Sequence, residues 1–283
     1  MQELIEILKD TTMDSIRLLP FLFITYLIME YIEHKTTNKV KETIKKSGKF
    51  GPLIGGAVGI FPQCGFSVSA TNLYAARVIT LGTLIAVYLT TSDEMLPILI
   101  TEAVPITTIL TILGIKLIIG IVAGFIIDFV MRKFGLEQQV ENIEEICEHE
   151  HCHCEDGIVK SAVKHSLNIL IFIFFITFII NCIISIVGEE IIASFISQNV
   201  ILGPIIAGII GLIPNCASSV TLTELFVGNI ISMPILIAGL LVNAGVGILV
   251  LFKTNKDIKQ NLKIVGLLYA IGVISGIILE III

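Results

Sequence analysis

Charge is scarce in this chain. Only 15% of its 283 residues are Asp, Glu, Lys or Arg, while 55% are hydrophobic. Soluble domains average about 25% charged and about 45–50% apolar residues, so both departures point to lipid as part of the solvent. A basic excess is missing as well: the formal net charge of −6 leaves no electrostatic footprint for nucleic acid. Six cysteines are too few for a secreted disulfide framework in a chain this long. The composition equally excludes collagen-like and disordered chains. The first residues lack the basic start of a signal peptide, carrying Glu3, Glu6 and Asp10 beside Leu4, Ile5 and Leu8. Residues 1–14 therefore read as an amphipathic surface helix.

What is present is apolar sequence in long runs. Crossing about 30 Å of hydrocarbon takes about 20 helical residues. Six stretches meet that length: Ser15–Ile32, Ile79–Ile100, Pro105–Met131, His165–Val187, Ser232–Phe252 and Ile264–Ile283. Two more, Gly51–Arg77 and Gly203–Asn229, are apolar but interrupted. Lysine sorts the loops, because basic flanks stay in the cytoplasm. Lys35, Lys39, Lys41, Lys45, Lys46 and Lys49 place the loop after the first span inside. Arg132, Lys133, Lys160 and Lys164 do so for the central loop, and Lys253, Lys256, Lys259 and Lys263 for the last. Gly188–Leu202 and the turn near Glu102 lack Lys and Arg and read as outside, which puts both termini outside.

The chain repeats itself. GPLIGGAVGIFPQCGFSVSATNL from Gly51 aligns without a gap to GPIIAGIIGLIPNCASSVTLTEL from Gly203, an offset of 152 residues. The shared positions include Gly56, Gly59, Pro62, Cys64 and Ser67 against Gly208, Gly211, Pro214, Cys216 and Ser219. Loops flanking equivalent spans have opposite lysine bias: Glu33–Lys49 is Lys-rich where Ser185–Leu202 has none. The expected fold is thus all-α, a polytopic membrane protein of two inverted-topology repeats. Each repeat has three spans plus a Pro-Cys broken-helix hairpin, ten helices in total. The corresponding organisation is an N-terminal helix over 1–14, repeat 1 over 15–131, a cytoplasmic loop over 132–164 and repeat 2 over 165–283.

Each hairpin should break at its proline. Gly51–Phe61 would rise about 16 Å as a helix, reaching the bilayer middle, where Pro62 stops it. Non-helical backbone at that depth needs protein or water to satisfy it. Gln63, Cys64, Ser67 and Ser69 in one repeat, and Asn215, Cys216, Ser218, Ser219 and Thr221 in the other, supply polar atoms there. Two tips meeting from opposite faces would bring Cys64 and Cys216 together. Thiols favour soft or borderline ions, hydroxyls and amides can replace the water of a cation, and freed helix N-termini suit an anion. Gln63, Cys64, Ser67, Asn215, Cys216 and Ser219 are the candidate substrate-binding residues.

Charges inside the apolar runs form a second set. Asp93 and Glu94 interrupt Ile79–Ile100 within TTSDEM, and their repeat positions hold Gly245 and Val246. A carboxylate at a helix centre costs about 2.5–3.5 kcal/mol on insertion scales, so it reads as functional. Lys116, midway along its span, is the matching cation. Asp93, Glu94 and Lys116 are the candidate coupling residues; Asp128 and Glu280, near span ends, read as solvated. The central loop adds CEHEHCHCED, with Cys147, His149, His151, Cys152, His153 and Cys154 as soft ligands for Zn²⁺, Cu⁺, Ni²⁺ or Cd²⁺. It reads as a metal capture or sensing element, or as an acidic linker that binds metal incidentally.

Paired Pro-x-Cys repeats, joined by a variable His-rich hydrophilic loop, resemble the ten-transmembrane heavy-metal exporter family, some of whose members carry arsenic-efflux or manganese-transporter labels. The resemblance implies export of a metal or metalloid ion across the cytoplasmic membrane, with Gln63, Cys64, Asn215 and Cys216 as site positions and the ion itself unassigned. The inverted-repeat architecture points to a secondary transporter, not an enzyme, with no required cofactor beyond the transported or sensed metal. The partners implied are the lipid bilayer and that ion, with proton or sodium coupling and either a monomer or a homo-oligomer. A different class is a transmembrane thiol-disulfide electron carrier using Cys64 and Cys216, similar to the cytochrome-biogenesis electron transporters. Those usually place Pro directly before Cys, whereas here Gln63 and Asn215 intervene. A transporter of an organic or anionic solute is the third reading.

Overall fold

The computed structural model describes residues 50–61, 65–92, 95–134, 158–187 and 201–282, together with scattered positions between 7 and 27. Those residues form helices and turns without strands. In chain order the helices are α1 (Gly51–Gly59), α2 (Gly65–Ala75), α3 (Leu81–Thr90), α4 (Met95–Thr101), α5 (Ile106–Lys133) and α6 (Ile158–Val187). They continue with α7 (Leu202–Gly211), α8 (Cys216–Val227), α9 (Met233–Val242), α10 (Gly247–Thr254) and α11 (Ile258–Ile282).

Five helical stretches are long and apolar enough to cross a membrane: Leu81–Thr101, Ile106–Lys133, Ala162–Ile179, Met233–Thr254 and Ile258–Ile282. They coincide with five of the six expected uninterrupted spans. Most of Ser15–Ile32 lies outside the described residues, although Phe23 and Leu27 pack against an apolar cluster that includes Ile169 and Ile173 of α6. The central loop through residue 157 and the N-terminal segment also lie largely outside them.

Burial separates inner helices from outer ones. Met233–Thr254 is 89% buried and Leu81–Thr101 75%, against 28% for both Ile106–Lys133 and Ile258–Ile282. The first two are therefore wrapped in protein, while α5 and α11 turn Ile118, Val122, Ile126, Ile274 and Ile278 outward, as a lipid-facing surface requires. In the first half α1, α3 and α5 pack on one another, and in the second half α7, α9 and α11 do the same. The halves meet where α3 touches α9, where α2 lies against α10, and where α8 lies against α4.

Local geometry recurs at the sequence offset. Arg77 ends α2 in the left-handed region at φ 59°, and Asn229 ends α8 at φ 57°. The same reverse bond closes each end, Val78 N–H to the Leu73 carbonyl at 2.8 Å and Ile230 N–H to the Leu225 carbonyl at 2.9 Å. Thr80 caps α3 by accepting from Thr83 N–H, as Ser232 caps α9 by accepting from Ile235 N–H. Each cap hydroxyl then donates at 2.7 Å to a carboxylate on the long outer helix, Thr80 to Asp128 and Ser232 to Glu280.

Those carboxylates correct the expectation that Asp128 and Glu280 are solvated. Asp128 is buried, and its second oxygen accepts from Gly82 N–H at 2.8 Å, an otherwise orphaned donor at the start of α3. Glu280 is partly buried under Ser232. Proximity to a span end is therefore not exposure when a neighbouring helix begins at the same level. Asp128→Ala should lower stability by about 2 kcal/mol, since a bond to a carboxylate is lost and a buried N–H left bare. Heating followed by size-exclusion chromatography in detergent would register the drop; an unchanged midpoint would mean water takes over the cap.

A second difference concerns Ser232–Phe252, expected as one uninterrupted span. It is split into α9 and α10. Asn243 is extended at ψ 98°, its Oδ1 accepts from Gly245 N–H at 2.8 Å, and Gly245 sits at φ 54°. An Asn whose side chain replaces the helical bond, followed by the residue most tolerant of positive φ, is a turn signal even inside an apolar run.

Candidate functional site

Four discontinuities interrupt the inner helices: between α1 and α2, α3 and α4, α7 and α8, and α9 and α10. Around them lies a belt of buried hydroxyls and amides. Ser67, Thr71, Thr90, Thr91 and Ser92 belong to the first half, and Asn215, Ser218, Ser219, Thr223 and Asn243 to the second; all are buried. Burying so many polar groups among Leu and Ile is tolerable only if the broken backbone and the side chains satisfy one another.

They do so break by break. At the end of α3, Thr90 Oγ1 donates to the Ala86 carbonyl at 2.9 Å and Thr91 Oγ1 to the Val87 carbonyl at 2.7 Å, while Ser92 Oγ donates to the Thr90 carbonyl at 3.0 Å. The Thr91 carbonyl, freed where the helix stops, accepts from Lys116 Nζ. Lys116 is fully buried on α5. Its counterpart at the repeat offset is Leu268, also fully buried, so the cation is present in one half only.

The break at Pro214 is built from the same chemistry. In the second half α7 stops at Gly211, Pro214 follows, and Asn215 holds an extended backbone at φ −150° before α8 begins at Cys216. Asn215 is buried, and its carbonyl accepts from Ser218 Oγ at 2.8 Å. Further along, Thr223 Oγ1 donates to the Ser219 carbonyl at 2.6 Å, matched in α2 by Thr71 Oγ1 to the Ser67 carbonyl at 2.6 Å. The glycines before the breaks set the helix spacing. A Cβ on Gly59 would overlap the Thr90 hydroxyl, and one on Gly211 would overlap the Gly239 carbonyl.

Of the substrate-binding candidates, the structure therefore places Ser67, Asn215 and Ser219 in the buried belt. Cys216 opens α8, with its side chain outside the described residues; Gln63 and Cys64 lie outside them altogether. Among the coupling candidates Lys116 is placed as above, and Asp93 and Glu94 lie outside. Cys147, His149, His151, Cys152, His153 and Cys154 lie outside as well, and the described residues contain no cluster of three or more metal-ligating side chains.

Thr71, Tyr88 and Gly247 join the belt without having been singled out from sequence. Thr71 Oγ1 lies 2.5 Å from Tyr88 OH, and both reach the Gly247 carbonyl at 3.2 Å, bonding the first half to the start of α10. A signal existed for one of them: Ser67 and Thr71 recur as Ser219 and Thr223 at the same i, i+4 spacing. Tyr88 has Leu240 as its counterpart and left no such trace.

The arrangement is a polytopic helical protein whose inner helices break beside buried hydroxyls, two amides and one amine. The hydroxyl and amide oxygens among them can coordinate a partly dehydrated cation. No curated protein and no solved structure matches the chain. A family model described as "Putative, 10TM heavy-metal exporter" matches residues 3–187, which takes in the first half and α6. With about two thirds of its length matched, the chain belongs to this family of ten-transmembrane heavy-metal exporters.

Proposed function

We propose that the chain is a secondary transporter that exports a metal or metalloid ion across the cytoplasmic membrane through a site at the middle of the bilayer. The observation that carries this reading is the buried belt of Ser, Thr and Asn at breaks halfway along apolar helices, in a member of a heavy-metal exporter family. Soluble-style packing has no use for such breaks, whereas a carrier needs backbone and side-chain oxygens at that depth.

The two halves are repeats of inverted topology. Support comes from the opposite lysine bias of equivalent loops and from caps, reverse bonds and glycine contacts that recur at the 152-residue offset. With lysine-rich loops inside, both termini are outside and the central loop is cytoplasmic. The ion is held by Cys64 and Cys216 with Gln63, Ser67, Asn215 and Ser219, the thiols selecting soft or borderline ions. Asp93, Glu94 and Lys116 couple transport to a proton or sodium gradient. The ligands between Cys147 and Cys154 collect the ion at the cytoplasmic mouth. The protein is not an enzyme and needs no resident cofactor.

The decisive experiment is uptake of metal into inside-out vesicles. Cys64→Ser combined with Cys216→Ser should abolish uptake, while deletion of Glu148–Asp156 should only weaken it. Full uptake by the double variant would overturn the thiol site. Uptake measured with Mn²⁺, Zn²⁺, Cd²⁺, Ni²⁺, Co²⁺ and arsenite in parallel identifies the ion. A Cys64–Cys216 disulfide that cycles with thioredoxin, in vesicles that move no metal, would assign the chain to thiol-disulfide electron transfer instead.

A further inference from the structure

Two seams of equivalent position join the halves, α2 against α10 and α8 against α4. They differ in chemistry. In the first, Thr71 and Tyr88 reach across to the Gly247 carbonyl, and a Cβ on Gly247 would stand 3.0 Å from Ser67 Cβ, so the helices touch closely. In the second, the counterparts of Tyr88 and Gly247 are Leu240 and Met95, both buried and apolar. The counterpart of Thr71 is Thr223, whose hydroxyl donates within its own helix to Ser219.

We infer that Thr71, Tyr88 and the Gly247 carbonyl form a latch that closes the α2–α10 seam, leaving the α4–α8 seam as the one that parts first. The inference rests on the carrier reading above and adds which side of the site is held shut in this conformation.

The latch can open because of its proton count. Each hydroxyl carries one proton, and the acceptors they meet among the described residues are the Gly247 carbonyl, the Ser67 carbonyl and the hydroxyls themselves. With α10 in place, Thr71 donates to Tyr88 and Tyr88 donates to Gly247. With α10 withdrawn, Tyr88 donates to Thr71 and Thr71 donates to Ser67 in its own helix. Neither arrangement strands a donor, so the group is stable both closed and open, as a gate requires. The bonds join residues 159 and 176 positions apart, so they report on the relation of the halves and not on either half alone.

Hydrogen–deuterium exchange of the full chain in lipid nanodiscs tests this without any metal. In the wild type, peptides from α2 and α10 should exchange more slowly than those from α4 and α8. Tyr88→Phe removes one oxygen and should speed exchange in α10 about tenfold, the effect of one buried hydrogen bond, with α4 and α8 unchanged within about twofold. Gly247→Ala should do likewise with both hydroxyls intact, by pressing a methyl onto Ser67. Equal exchange at the two seams, or no change in either variant, would overturn the latch. The wild-type vesicle assay separates the two readings. Seam-specific exchange with no metal uptake would keep the latch and remove the carrier; uptake with uniform exchange would remove only the latch.

Discussion

Replacing Lys116 with leucine is expected to stop metal uptake by inside-out vesicles, with a loss of at least about a hundredfold, while the protein remains folded. The loss follows from burial: a fully enclosed amine that donates to the Thr91 carbonyl at a helix break is costly to keep. The survival of the fold follows from the repeat. Position 268, its counterpart, is a leucine enclosed to the same degree, so this helix position already accommodates that side chain in the other half. Thr91 would lose one donor, at about 1–3 kcal/mol, which a chain of this size tolerates. Normal uptake by Lys116→Leu would assign the amine to packing alone. Loss of the folded peak in size-exclusion chromatography would point the same way.

Gly124→Val should have the largest effect on folding. Gly124 sits where three helices converge, and a Cβ there would stand 2.6 Å from the Gly82 carbonyl, 2.8 Å from Pro52 Cβ and 3.0 Å from Ala86 Cβ. These neighbours are backbone or short side chains that cannot swing away. Overpacking of this kind costs about 3 kcal/mol or more, which for a marginally stable protein is roughly a hundredfold in the folded-to-unfolded ratio. The same crossing aligns α3 so that Asp128 can cap it, and the second half repeats the contact between Gly276 and Pro204. Gly114→Ala is the control on the same helix, since a Cβ there would meet nothing within 4 Å. Its expected effect is neutral or stabilising by about 0.5 kcal/mol. Yield of monodisperse protein separates the two, and equal yields would show that α3 and α5 slide freely past each other.

Much of this architecture is legible in the sequence because lipid makes hydrophobicity a nearly one-dimensional signal. The five described spans, the stop before Pro214 and the 152-residue offset can all be read from residue order. What escapes is whatever depends on which helix lies alongside. Asp128 looks solvated until α3 is seen to begin beside it. The break at Asn243 hides inside a run whose average hydropathy is high, because a mean over about 20 residues cannot register a two-residue turn. Tyr88 looks like ordinary core, and only the arrival of α10 from the other end of the chain gives its hydroxyl a task. Periodicity and repeats thus reveal elements and their duplication, while the polar pairings that would make a site arise between helices, within a half at Lys116 and Thr91 and across halves at Tyr88 and Gly247.

The enclosure of the inner helices also bears on how the protein is made. Leu81–Thr101 has the lowest hydropathy of the five spans, 1.3, and is three-quarters covered by protein, part of it synthesised more than a hundred residues later. On leaving the ribosome it meets lipid first, with the faces of α3 and α4 that α9 and α8 will cover still bare. The first half must therefore wait, partly assembled, until the second half is inserted and the belt can close. A translation pause or truncation within the second half should consequently expose the first to membrane proteases, although every residue of that half is correct.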